Sequence, residues 1–138
     1  MSSVLDHPAN VVISAASEEL KKNAELAAPE WVGLVKNSSA NERLPQDEDF
    51  WFKRLASLLL TVYKRGPVGI ERLRNKYGGR TGHTVSRSHH RKAGGKVIRS
   101  GLQKLEKIGF IEKDKTKKGR IITSKGVSFL EKCMKEKK

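Results

Sequence analysis

Leu105-Glu106-Lys107-Ile108-Gly109-Phe110-Ile111 is the stretch whose reading decides the fold. It describes an amphipathic helix stopped by glycine and passing directly into an apolar strand. Gly109 stands at the position after the helix, where left-handed backbone is least costly for a residue without Cβ. Upstream, helical spacing predicts a helix over 96–108, with Val97, Ile98, Leu102, Leu105 and Ile108 inward. Arg99, Gln103, Lys104 and Lys107 then lie largely outward. Downstream, 110–113 and 120–123 read as paired strands joined by a basic, turn-rich connection over 114–119. Thr123 or Ser124 caps a last helix that buries Val127, Phe129 or Leu130, and Met134.

Working back towards the N-terminus, Asp47 is placed to cap a helix running to about Tyr63, with Glu48 and Asp49 favoured by its dipole. Trp51, Leu55, Leu58, Leu59 and Val62 form one apolar stripe on it, and Phe52, Ala56, Leu60 and Tyr63 a second. A helix apolar on so much of its circumference belongs at the centre of a core. Lys64-Arg65-Gly66-Pro67 ends it, and a short helix over 69–76 follows, burying Ile70, Leu73 and Tyr77. Residues 78–96 then hold five Gly, five Lys/Arg and three His with no acid, and nothing beyond Val85 to anchor a core. A loop of that length and composition is functional or unstructured when free. Ahead of all this, a helix is expected over 10–26 with Asn10 as cap, and Pro29 with Glu30 opens a short second helix. Residues 37–46 read as a polar surface connection. The fold class is therefore mainly α, a winged helix-turn-helix core with a small β-hairpin wing and extra N-terminal helices. One domain is expected over 1–138, with a helical extension (1–46) packed on a core (47–134) that carries the basic loop 78–96.

Charge is strongly segregated along the 138 residues. Residues 1–62 hold six Lys/Arg against nine Asp/Glu, a net of −3, whereas 63–138 hold 23 against six, a net of +17. Self-repulsion on this scale disfavours compaction, so a polyanionic partner is the reason it is tolerated; the alternative is a solvated basic face. A single cysteine, Cys133, excludes an internal disulfide and a Cys-based zinc finger, and fits a reducing compartment. The N-terminus lacks the basic and apolar regions of a signal peptide, and apolar runs such as 58–60 are too short to span a bilayer. The expectation is a soluble, intracellular protein.

The cations spread over several elements, a distribution suited to tracking phosphates rather than reading base edges. A Gly-, Arg-, Ser- and His-rich loop that orders on a partner is a feature of RNA recognition. The candidate RNA-binding set is Arg54, Arg65, Arg74, Lys76 and Tyr77; Arg80, His83, Arg87, Ser88, His89, Arg91, Lys92 and Lys96 of the loop; Arg99 and Lys104 of the following helix; and Lys117, Lys118 and Arg120 of the wing. Trp31 and Trp51 are candidate stacking platforms, but their apolar surroundings favour core packing. Tyr77 stands between core and RNA edge. His83, His89, His90 and Cys133 lack the ligand spacing of a structural zinc site, so no metal is expected. Gly94-Gly95-Lys96 lacks the first glycine and the Ser/Thr of a nucleotide-binding loop, although a helix start with glycines and a lysine suits a phosphate. Asp47, Glu48 and Asp49 are explained by the helix dipole. With no nucleophile–base constellation, the chain reads as no enzyme, with no catalytic residues, no cofactor and no small-molecule substrate.

Pro29-Glu30-Trp31-Val32, Trp51-Phe52-Lys53-Arg54-Leu55-Ala56-Ser57, Tyr77-Gly78-Gly79-Arg80 and Ser88-His89 resemble, in order, motifs of one family. So do Leu102-Gln103-Lys104-Leu105-Glu106, the run from Gly119-Arg120 to Thr123, and Gly126. It is the small-subunit ribosomal protein S-nineteen-e family of eukaryotes and archaea, and the resemblance covers about residues 10–131. It implies a structural constituent of the small ribosomal subunit, bound to rRNA in the head and required in subunit maturation. Small-subunit rRNA and neighbouring ribosomal proteins would be the partners, with no membrane and no homo-oligomer. Localisation would be cytoplasmic, on the ribosome, with a nucleolar assembly phase in a eukaryote. The family's exposed arginines carry over at Arg54 and Arg99, while the chain departs from the pattern at Leu60, Arg87 and Ser100. From another class, a winged-helix DNA-binding regulator would use Arg99 and Gln103 as base readers and would need a dimer surface, which the sequence does not display.

Overall fold

A computed structural model describes residues 4–41, 43–81, 85, 87–116 and 119–136. Five α-helices stand among the described residues: α1 (Ala9–Lys21), α2 (Phe50–Arg65), α3 (Ile70–Tyr77), α4 (Gly95–Lys107) and α5 (Ser124–Glu136). Two antiparallel pairs of strands accompany them, β1 (Gly79–Arg80) with β2 (His90–Arg91) and β3 (Ile111–Lys113) with β4 (Arg120–Ile122). The helices α2, α3 and α4 followed by the β3–β4 hairpin make the winged helix that the sequence predicts. A bridge between Val68 and Arg120 ties the α2–α3 turn to the wing, through Val68 N–H to Arg120 O (3.1 Å) and the reverse (3.0 Å).

The α2 helix is central because almost its whole circumference is apolar. Trp51, Leu55, Leu58, Leu59, Leu60 and Val62 are all buried, packed against α1, α4 and α5. The α4 helix presents Val97, Ile98, Leu102 and Leu105 to the same core, and Gly101 lets it approach α2 closely: a Cβ there would lie 2.8 Å from Leu58 Cδ1. Gly109 ends α4 with φ +86°, as read from the sequence. Thr123 caps α5 by accepting from Gly126 N–H, while its hydroxyl donates to Gly109 O (2.6 Å) and so fastens the wing to the helix. Leu130 and Met134 are buried on α5, and Val127 and Phe129 are half-buried.

Several boundaries differ from expectation, each for a local reason. Pro8, not Asn10, precedes α1, and its carbonyl accepts from Val11 and Val12 N–H, so Asn10 sits inside the first turn. That helix stops at Lys21; Asn23 then caps a separate 3-10 turn, Ala24–Leu26, accepting from Glu25 N–H. The second N-terminal helix is a 3-10 turn, Glu30–Leu34. Asp49 is the residue before α2, while Asp47 accepts from Asp49 N–H (2.9 Å) and from Lys53. The connection 37–46 is not wholly superficial, because Ser38 is buried and pairs with Ala93. Residues 78–96 anchor the core through Ala93, which is fully buried, and not through Val85, which is 99 % exposed. The ends of this loop also pair as β1 and β2, an arrangement that demands Gly78: a Cβ there would stand 2.2 Å from Arg91 O.

Candidate nucleic-acid interface

Helical periodicity places Phe50, Arg54, Ser57 and Thr61 along one side of α2, and α3 lays Lys76 and Tyr77 against it. The Arg54 guanidinium lies 4.0 Å from the Tyr77 ring centroid and 5.2 Å from that of Phe50. Tyr77 OH shares a 2.6 Å hydrogen bond with Ser57 Oγ, and Lys76 donates to Thr61 Oγ1, which itself donates to Ser57 O (2.8 Å). Arg54 Nη1 is buried without a hydrogen-bond partner among the described residues. Burial holds the Arg54 pKa below the usual arginine range. Burial, followed by the cations of Arg65, Lys64 and Arg54, lowers that of Lys76. No carboxylate is ion-paired with Arg54, Lys64, Arg65 or Lys76 among the described residues. A recess of about 180 Å³ beside them is lined by Asp47, Phe50, Lys53, Arg54, Ser57 and Tyr77.

A second collection of cations surrounds the start of α4. A Cβ on Gly95 would lie 3.4 Å from Arg99 Nη2 and 3.5 Å from Arg74 Cδ, so both side chains border the positive end of this helix. Lys96 extends over the outer face of Trp31 (4.6 Å to the ring), and Trp31 meets Trp51 edge-on at 6.4 Å. Trp51 is buried, its indole N–H donating to Leu26 O (2.9 Å), so it packs the core; Trp31 is half-buried between core and cation.

The remaining candidates divide by what holds them. Arg65, Arg80, Arg87, Arg91 and Arg99 are exposed and carry no ion pair among the described residues. Ser88 and His89 are exposed next to them, with His89 joined to Thr81 through N–H to Thr81 Oγ1 (3.1 Å). Others are already engaged inside the protein. Arg74 bonds Glu71 (2.9 Å) and Ala93 O (2.9 Å), Lys92 bonds Glu71 (2.7 Å), and Lys104 donates to Ala27 O (2.9 Å). Arg120 reaches Glu106 at 3.3 Å and is mostly buried, holding the wing to α4. His83, Lys117 and Lys118 lie outside the described residues. Sequence reasoning missed Lys64, read only as a helix-ending cation, and the Ser57–Thr61 hydroxyls that seat Tyr77 and Lys76. The signal was available in their spacing at i+3 and i+7 from Arg54, on the Arg54 side of α2.

Among the described residues no group of His, Cys, Asp and Glu could hold a metal ion, and no helix is long and apolar enough to cross a membrane. Fold and surface together define a winged-helix protein with one collection of cations on α2 and α3 and another around the start of α4. The chain belongs to the ribosomal protein S19e family, whose family model matches residues 3–138. It is 40% identical over 132 residues to small ribosomal subunit protein eS19 of Emericella nidulans, covering 96% of this chain and 89% of the relative. The eS19 proteins of Haloarcula marismortui (37% identical, 95% and 88% covered) and Aeropyrum pernix (38%, 99% and 90%) are similar along equally complete lengths.

Proposed function

We propose that this chain is a structural constituent of the small ribosomal subunit, seated in the head, where it binds and clamps small-subunit rRNA. The observation that carries the reading is the group of Arg54, Lys64, Arg65 and Lys76, cations close enough to lower the Lys76 pKa together, with none of the four ion-paired to a carboxylate among the described residues. Assembling like charges costs free energy that a phosphate backbone returns on binding. Arg80, Arg87 and Arg91, with Arg99 at the start of α4, extend the face, and Ser88 and His89 add hydrogen-bonding groups. Lys96, His83, Lys117, Lys118 and Tyr77 belong to the same reading, Tyr77 chiefly as the seat for Arg54. Arg74, Lys92, Lys104 and Arg120 act on RNA indirectly, by holding the face in shape. The acidic N-terminal helices turn towards neighbouring small-subunit proteins, and the protein acts as a single copy on cytoplasmic ribosomes, entering them in the nucleolus if the source is eukaryotic. Its depletion would leave small-subunit rRNA precursors unprocessed.

The salt dependence of rRNA binding tests the reading. Replacing Arg65, Lys76 and Arg99 together by Ala should flatten the slope of log K against log salt by about 2–3 units, one released counterion equivalent per phosphate. Replacing Lys92 and Lys104, whose ammonium groups face Glu71 and Ala27 O, should change it by less than about 1 unit. Equal slopes in the triple variant and the unmodified chain would remove this face from the interface.

A further inference from the structure

Residues 26–37 run alongside α4 and close one of its flanks. Leu26 is buried in the core, Lys104 donates to Ala27 O (2.9 Å), Lys96 extends over the Trp31 ring (4.6 Å), and Gly94 N–H donates to Asn37 O (2.8 Å). These contacts follow the helix from its last turn back to its start. On the other flank Glu106 holds Arg120 of the wing (3.3 Å). Between the two flanks Lys96, Arg99, Gln103 and Lys107 are exposed, at spacings of three, four and four residues that align them in one stripe. The stripe has three cations and no acid, and none of the three has an ion pair among the described residues. Gln103 is its one neutral member.

The closed flanks decide which nucleic-acid groove this stripe can meet. A helix that reads B-DNA enters the major groove, which is about 12 Å wide against about 10–12 Å for a helix with its side chains. Entry therefore requires both flanks to be bare, and here residues 26–37 would strike the groove wall. The major groove of an A-form RNA helix is narrower still and deep, whereas its minor groove is wide, shallow and lined by 2′-hydroxyls and base edges. A stripe that protrudes little between its neighbours fits the shallow groove. The spacing agrees: at a rise of about 1.5 Å per residue, Arg99 and Lys107 stand about 12 Å apart along the axis with Gln103 midway. Cations at the ends suit phosphates, and the central amide, both donor and acceptor, suits a 2′-hydroxyl that is also both. We propose that α4 lies across the minor groove of a base-paired rRNA stem. Arg99 with Lys96, and Lys107, take phosphates of the two strands, and Gln103 bonds 2′-hydroxyls between them. The choice of rRNA rests on the function proposed above; the closed flanks of α4 do not.

Titration of the purified full-length chain with matched nucleic acids tests this. At one salt concentration the ligands are a fully paired RNA stem of about 16 base pairs, the DNA duplex of the same sequence, and one RNA strand alone. The RNA stem should bind on the order of tenfold more tightly than either of the others. Gln103→Met keeps the side-chain length but neither donates nor accepts as an amide does. It should lower affinity for the RNA stem about three- to tenfold, the loss of one or two neutral hydrogen bonds, with DNA affinity and the urea midpoint unchanged. Arg99→Ala with Lys107→Ala should weaken RNA and DNA duplexes alike and flatten the salt slope by about 2 units. Equal affinity for the two duplexes, tighter binding of the single strand, or full preference retained by Gln103→Met would overturn the proposal. So would a fall in the urea midpoint of Gln103→Met, which would make Gln103 a part of the fold. A chain that fails these tests yet binds small-subunit rRNA leaves the proposed function standing; one that binds no RNA defeats both.

Discussion

Gly119→Ala is the perturbation that probes the wing most sharply. Gly119 has φ +128°, a region that side-chain-bearing residues almost never occupy, and the cost of forcing one there is about 1–3 kcal/mol. The added Cβ would lie 2.5 Å from both Val68 C and Val68 O and 2.8 Å from Gly69 N, so backbone rather than a flexible side chain must yield. The contacts in its way are the two Val68–Arg120 hydrogen bonds, each worth about 0.5–1.5 kcal/mol net. Alanine stiffens the unfolded chain and returns roughly 0.4–1 kcal/mol. The balance is a loss of about 3 kcal/mol, visible as a lower urea midpoint with an unchanged slope by far-UV circular dichroism. Gly33→Ala is the matched control, because its Cβ enters open space, and it should shift stability by no more than about 0.5 kcal/mol. If the two alanine variants unfold at the same urea concentration, the wing is not held by this close approach and the account of the β4 attachment fails.

Two further perturbations separate stability from binding. Arg54→Met keeps the side-chain length and removes a guanidinium whose buried Nη1 lacks a partner, so the free protein should be as stable as before or gain up to about 1 kcal/mol. The same variant should bind small-subunit rRNA on the order of tenfold more weakly, the loss of one charged hydrogen bond; a large fall in melting temperature would instead make Arg54 a part of the fold. Burial pushes the Cys133 thiol up to about 11, so at pH 8 its alkylation by iodoacetamide should be about 100-fold slower in the folded chain than in urea. Because the folded pKa is raised, the neutral thiol's contribution to stability is complete below the usual value of 9.0 and is lost as pH climbs towards 11. Comparable alkylation rates in the two states would contradict the burial of Cys133 of α5 against α1.

What the sequence disclosed was mostly local. The helix–glycine–strand passage at Leu105 to Ile111, the apolar circumference of α2 and the capping threonine before α5 are set by neighbours within a few residues, and each stands in the structure as read. What it concealed was non-local. The two-residue strands β1 and β2 are ten positions apart and exist because Gly78 lets backbone meet backbone, which no periodicity reveals. Ala93 is a core residue only because Ser38 and Arg74 close over it from distant parts of the chain. The same limit applies to the basic face. Composition displays its cations but not their partners, so it could not tell Arg99, which is open, from Arg120, which is spent on Glu106. Nor could it show that Arg54 is seated between Phe50 and Tyr77.

The central claim, that this chain is held on the small ribosomal subunit through its basic face, is tested most directly by sedimentation of the tagged full-length protein through a sucrose gradient at high salt. The account predicts co-migration with small subunits for the unmodified chain, and release to the top of the gradient for the Arg65, Lys76 and Arg99 triple alanine variant. Recovery of the unmodified chain on chromatin fragments, with none on small subunits, would contradict it.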